Sequence, residues 1–156
     1  MIESLLRALA GVERRLGRLE TQSGVGRWVD WTPTVTQGAA VTVTVTEAKY
    51  CVIGKVAHFY AKVALTSAGT AGQYIVIGGI PAAAAMAATA YYSVGHFVAY
   101  DAAPSALFYA GVLRSNNNAS ALIMNTDGGT GALGINPAWT VANGDSLNIS
   151  GTYRVA

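Results

Sequence analysis

Beyond residue 28, few side chains can bind a metal, carry a nucleophile or move a proton. They are His58, His96, Cys51 and five carboxylates: Asp30, Glu47, Asp101, Asp127 and Asp145. A zinc or iron centre needs several such ligands together, and short spacings such as His-x-His or His-x-x-x-His place two of them on one face. His58 and His96 lie in separate segments with no such spacing and no adjacent carboxylate. They read as stacked or interface imidazoles, and no metal or other cofactor is expected. Composition leaves a Ser-His-Asp arrangement open, but the Gly-x-Ser-x-Gly turn that lifts a nucleophile off a strand is absent from the sequence. Cys51, within Tyr50-Cys51-Val52-Ile53, reads as a small buried hydrophobe.

The run Asp127-Gly128-Gly129-Thr130-Gly131 shares only its glycine content with a phosphate-cradling loop. It lacks the Gly-Lys-Ser/Thr ending and a following helix, so a turn is the better reading. Glycoside cleavage needs two converging carboxylates, for which Asp101, Asp127 and Asp145 are the candidates; no evident pair stands out, and no calcium loop is present. Asn118-Ala119-Ser120 and Asn148-Ile149-Ser150 match the glycosylation sequon, which matters only in a secreted eukaryotic context. Aromatic rings offer another kind of chemistry. Tyr60, Tyr91, Tyr92, Tyr100 and Tyr109 can stack on sugars or line a protein interface, and both uses are open.

These residues sit on strands. Val41, Val43 and Val45 alternate with Thr42, Thr44 and Thr46, the pattern of a half-buried strand rich in β-branched residues. From 56 to 65, Ala57, Phe59, Ala61, Val63 and Leu65 form one face, and Val56, His58, Tyr60, Lys62 and Ala64 the other. From 146 to 155, Leu147, Ile149, Tyr153 and Val155 alternate with polar residues. Further strand-like runs cover 50–53, 73–77, 91–100, 106–114 and 119–125, separated by Gly-, Asn- and Asp-rich turns. About eight short strands with such turns predict an antiparallel β-sandwich or jelly roll over residues 32–156. The run 82–88 reads either as one helical turn or as a loop packed on a neighbour. In 91–100, Tyr92, Val94, Val98 and Tyr100 fall on one face and Phe97 and Ala99 on the other. Apolar residues on both faces predict burial of the second face against another copy.

The N-terminus is different. Ile2, Leu5, Leu9, Val12, Leu16 and Leu19 follow a heptad a/d register, with Leu6 widening the stripe towards a three-stranded bundle. Arg15 at a g position and Glu20 at the following e position are offset for a salt bridge between parallel neighbours. A helix this short is marginal alone in water, and Gly11 and Gly17 weaken it further. Residues 1–23 are therefore expected to self-associate as an α-helical coiled coil, with folding back on the domain or docking on another protein as alternatives. Ser23-Gly24-Val25-Gly26 stops the helix and opens a linker over 24–31. Trp28 and Trp31 are expected to pack the base of the β-domain against this peg.

Composition excludes several classes. Charged residues are 12% of the chain against 52% for the AVILMFWYC group, which rules out a disordered polyelectrolyte. A net charge of +2 provides no global field for nucleic acid or anionic lipid. One cysteine permits no internal disulfide. Residues 63–100 carry no Asp, Glu, Lys or Arg, but Gly69, Gly72, Gly78, Gly79, Pro81 and Gly95 interrupt them, so no membrane span is expected.

Three segments carry a resemblance: Trp31-Thr32-Pro33-Thr34-Val35-Thr36; Tyr50-Cys51-Val52-Ile53-Gly54-Lys55 entering an alternating strand; and Asn143-Gly144-Asp145-Ser146-Leu147-Asn148-Ile149-Ser150-Gly151-Thr152-Tyr153. Together they resemble small tailed-bacteriophage virion surface proteins, with a polar residue more usual where Cys51 stands. The resemblance implies a short N-terminal coiled coil before a trimeric β-sandwich, a homotrimer at the particle surface, and no enzymatic activity. It implies two placements. One is a capsid decoration or head-fibre protein bound to the major capsid protein or another virion protein. The other is a minor tail or tail-fibre protein that binds a host surface glycan.

Overall fold

The computed structural model describes residues 11–13, 15, 26–81, 85–87, 93–103, 106–116, 121–126 and 131–156. Ten strands build it: β1 (Val29–Asp30), β2 (Thr34–Gln37), β3 (Ala39–Val41), β4 (Val43–Ile53), β5 (Val56–Leu65), β6 (Ile75–Gly78), β7 (Ser93–Asp101), β8 (Leu107–Ser115), β9 (Leu122–Thr126) and β10 (Ser146–Arg154). They pair antiparallel in a single sheet of order β1-β4-β5-β10-β7-β8-β9-β6-β2-β3. The fold is mainly β.

Chain continuity makes this sheet curl. β3 ends one side of the ladder, yet after Thr42 alone the chain enters β4 beside the other end. The two ends are therefore covalent neighbours, and the seam is closed by the Thr66 N–H on the Thr42 carbonyl (2.9 Å) and the Thr42 N–H on Ser67 Oγ (2.8 Å). Curling places one face inside. Phe59, Leu65, Ile75, Ile77, Phe97, Leu113, Leu122, Met124, Leu133 and Leu147 are buried there in one cluster, and removing their apolar area from water is the main drive to fold.

Two β-bulges reset the alternation read from sequence. The expected run 41–46 breaks at Thr42: Val41 ends β3, and 43–46 continue through 50–53 as β4, whose register slips between Val45 and Glu47. A second slip between Ser93 and Gly95 inserts one residue into β7 and flips the parity before it. Val94 is consequently buried on the same side as Phe97 and Ala99, while Val98 stays outside. The expectation that Val94 shares a face with Val98 fails for this reason.

Within 82–88, residues 85–87 form an extended bridge beside the C-terminus. Met86 is buried opposite Val155, and the Ala87 N–H bonds the Arg154 carbonyl at 2.9 Å. These three residues are the packed loop rather than the helical turn. Pairing with the sheet begins inside 24–31, because Val29 and Asp30 pair with Tyr50 and Lys49 of β4. Gly11, Val12, Glu13 and Arg15 are helical, with Val12 exposed; Ile2, Leu5, Leu6, Leu9, Leu16, Leu19 and Glu20 lie outside the described residues.

Candidate functional site

The outer face of the sheet gathers the residues of interest. Cross-strand register lays out three rows over β4, β5, β10, β7 and β8. The first reads Thr44, Ala64, Ser146, Tyr100, Phe108. The second reads Glu47, Lys62, Asn148, Val98, Ala110. The third reads Lys49, Tyr60, Ser150, His96, Val112. The face is divided. Its β4–β5–β10 half carries charged and hydrogen-bonding side chains, and its β7–β8 half is almost wholly apolar. Phe108 is 71% exposed and leans on Tyr100 with ring centroids 5.0 Å apart. Val98 is exposed beside it, while Leu107, also exposed, alternates to the other face at the start of β8.

In the polar half, Tyr60 is held from two sides. Its hydroxyl donates to Glu47 Oε1 at 2.6 Å, and Trp28 meets its ring edge-on at 5.4 Å. The Glu47 hydrogen bond, with lesser help from burial and from the charges of Glu47 and Asp30, raises the Tyr60 pKa above its ordinary 10.0. Because Glu47 stands on β4, this bond draws the phenol away from β10. A shallow hollow of about 280 Å³ is left over Asn148 and Ser150, walled by Tyr60 and Lys62 on one side and His96 and Val98 on the other. It runs on past Gly95, Gly151 and Thr152.

Trp28 and Trp31 part company. Trp28 covers Tyr60 outside, whereas Trp31 is buried within the curl, its N–H on the Ala48 carbonyl (3.2 Å) and its Nε1 on the Tyr60 carbonyl (3.3 Å). Of the five sequence-selected tyrosines, Tyr60 and Tyr100 share the outer face. Tyr109 turns inward onto Trp139, 5.4 Å between centroids, and burial, then the charges of Asp101 and Asp145, raise its pKa. Tyr91 and Tyr92 lie outside the described residues. Cys51 is buried although it pairs with His58 on the outer side, because the segment at Gly26 crosses over it. His58 Nδ1 lies 3.2 Å from Thr152 Oγ1, and His96 is exposed.

The carboxylates hold turns. Both oxygens of buried Asp145 accept backbone N–H groups, from Ala102 and Ala142, each at 2.8 Å. Asp101 accepts from the Ala103 N–H at 2.9 Å. Asp127 lies outside the described residues. Among the described residues no three His, Cys, Asp or Glu side chains group as a metal site.

Sequence reading passed over Gln37, fully buried and bonded to three backbone groups. The available signal was its place: after Val35 and two positions on, it falls on the buried side of β2. Glu47, which orients Tyr60, gave no signal, because the bulge at Val45 decides which way it points.

No family model matches the chain, and neither a curated protein nor a solved structure does.

Proposed function

We propose that the chain is a non-enzymatic structural protein of a virion surface that works as a homotrimer, placed on the capsid as a decoration or head-fibre protein. The observation carrying this reading is the apolar half of the outer face. Tyr100, Phe108, Val98, Ala110 and Val112 form a continuous strip on β7 and β8 without a charged member. Burying a large apolar side chain returns about 1.5–3 kcal/mol, and an exposed apolar strip rimmed by polar residues is the mark of an interaction surface. A second copy meets it without needing complementary charge. In this reading the curled sheet acts as a jelly-roll-like sandwich, and residues 1–23 as a coiled-coil peg that brings the strips together.

Two measurements test it. Light scattering on the full chain should give three times the mass of one chain, and a monomer overturns the reading. Antibody labelling of intact particles should mark the head in many copies. Labelling confined to the tail replaces decoration with the minor-tail placement.

A further inference from the structure

We propose that the hollow over β10 binds a single neutral hexopyranose ring, as one subsite for a glycan. The hollow lies where the two halves of the face meet: β5 and β10 supply Tyr60, Lys62, Asn148 and Ser150, while β7 supplies His96 and Val98, the last shared with the apolar strip.

Size is the first constraint. The part beside Tyr60, about 280 Å³, is on the scale of one ring, and its continuation past Gly95 and Gly151, about 480 Å³, is open to the rest of a chain. Short side chains make its floor, Asn148 and Ser150, while longer ones stand on either side. Chemistry is the second. A pyranose presents a patch of C–H groups on its ring faces and hydroxyls around its rim, so it asks for one flat apolar wall and several groups that donate and accept. Tyr60 is that wall, and it is fixed in place: the Glu47 bond and the Trp28 contact leave the phenol little rotamer freedom to lose on binding. Asn148 and Ser150 each donate and accept, Lys62 donates, and His96 does either according to tautomer. These four side chains make no hydrogen bond or ion pair with the described residues.

An anion fits less well. It calls for clustered cations, yet Lys62 is the one cation in the hollow and Glu47 sits opposite it across β4 and β5. Neither of the other placed tyrosines competes. Tyr100, paired with Phe108, stands outside the hollow, and Tyr109 faces Trp139 on the inner side.

Saturation-transfer NMR on the full chain tests this, using the methyl glycosides of glucose, galactose, mannose and N-acetylglucosamine one at a time. At least one should receive saturation on its ring protons, strongest on the face that meets Tyr60. Tyr60→Ala and Asn148→Leu should each weaken that binding at least tenfold, while Ile135→Ser, on a remote exposed loop, leaves it unchanged. Circular dichroism confirms that each variant is folded. Silence with all four glycosides overturns the proposal. So does undiminished transfer in folded Tyr60→Ala and Asn148→Leu.

Discussion

Gln37 and Trp139, 102 residues apart in sequence, are joined by a 2.6 Å hydrogen bond from the Gln37 side-chain amide to the Trp139 carbonyl. The same amide donates to the Gln73 carbonyl at 3.0 Å, and its oxygen accepts from the Val141 N–H at 3.0 Å. One buried side chain thus pins two loops to the end of β2. Loops that run inside a protein must find partners for their backbone groups, and here a glutamine supplies them where no strand can.

Gln37→Leu should therefore cost about 2–4 kcal/mol, since it leaves backbone donors and acceptors buried without partners. Urea unfolding of the two proteins measures the difference. Gln37→Glu sets an oxygen against two carbonyls, so its loss should be at least as large near neutrality. It should shrink on acidification, when a protonated carboxyl regains a donor.

Asp145 braces the same end of the curl, through Ala142, the residue after Gln37's partner Val141. Asp145→Ala removes the acceptor for both the Ala102 and Ala142 N–H groups and should cost about 2–4 kcal/mol, because each buried donor left unpaired costs about 1–3 kcal/mol. Asp145→Asn should cost less, as its carbonyl oxygen still accepts one of the two bonds. Asp101→Asn, at an exposed turn, should change stability within about 0.5 kcal/mol. Thermal unfolding ranks the three.

Much of this architecture was legible because one face is buried. The inward set from Ala57 to Leu65 and the inward Leu147, Ile149 and Tyr153 follow a period of two that only a strand satisfies. What escaped was anything decided by one extra residue. The bulge at Gly95 moved Val94 across the sheet, and the bulge at Val45 turned Glu47 towards Tyr60. Pairing order escaped too: nothing local says that β10 lies between β5 and β7. The hollow over Asn148 depends on that order, so it could not be assembled from the alternation of any one strand.

Gly95 and Gly151 face each other across β7 and β10. A Cβ on Gly95 would collide with the Ser150 carbonyl, and one on Gly151 with the Val94 carbonyl, both fixed backbone atoms. Gly95→Ala and Gly151→Ala should each destabilise by about 2 kcal/mol or more, since a packed interior relieves such contacts only by shifting strands. The two effects should add to less than their sum, because either substitution already separates the same pair of strands. Chemical denaturation of the single and double variants decides this.

Phe108→Asp separates assembly from folding. The side chain is exposed and touches Tyr100 alone among described aromatic rings, so the stability of a single chain should change by no more than about 0.5 kcal/mol. A carboxylate in the middle of an apolar contact, however, cannot be desolvated without a partner. The variant should be folded by circular dichroism and of lower mass than the wild type by light scattering. Unaltered mass would place the copy contact elsewhere on the chain.

The Tyr60–Glu47 pair makes a prediction about pH. Tyr60 loses its proton above the ordinary value of 10.0, chiefly because its neutral hydroxyl donates to the Glu47 carboxylate. A pKa raised by folding means that the pair's contribution to stability is fully present below the unfolded tyrosine pKa and is lost as pH climbs through the raised value. Near-ultraviolet titration of the wild type minus that of Tyr60→Phe isolates this one phenol. Glu47→Gln keeps a hydrogen-bond acceptor but removes the charge, so the isolated transition should move down towards 10.0. A transition unmoved by Glu47→Gln would mean that burial, not the carboxylate, holds the proton.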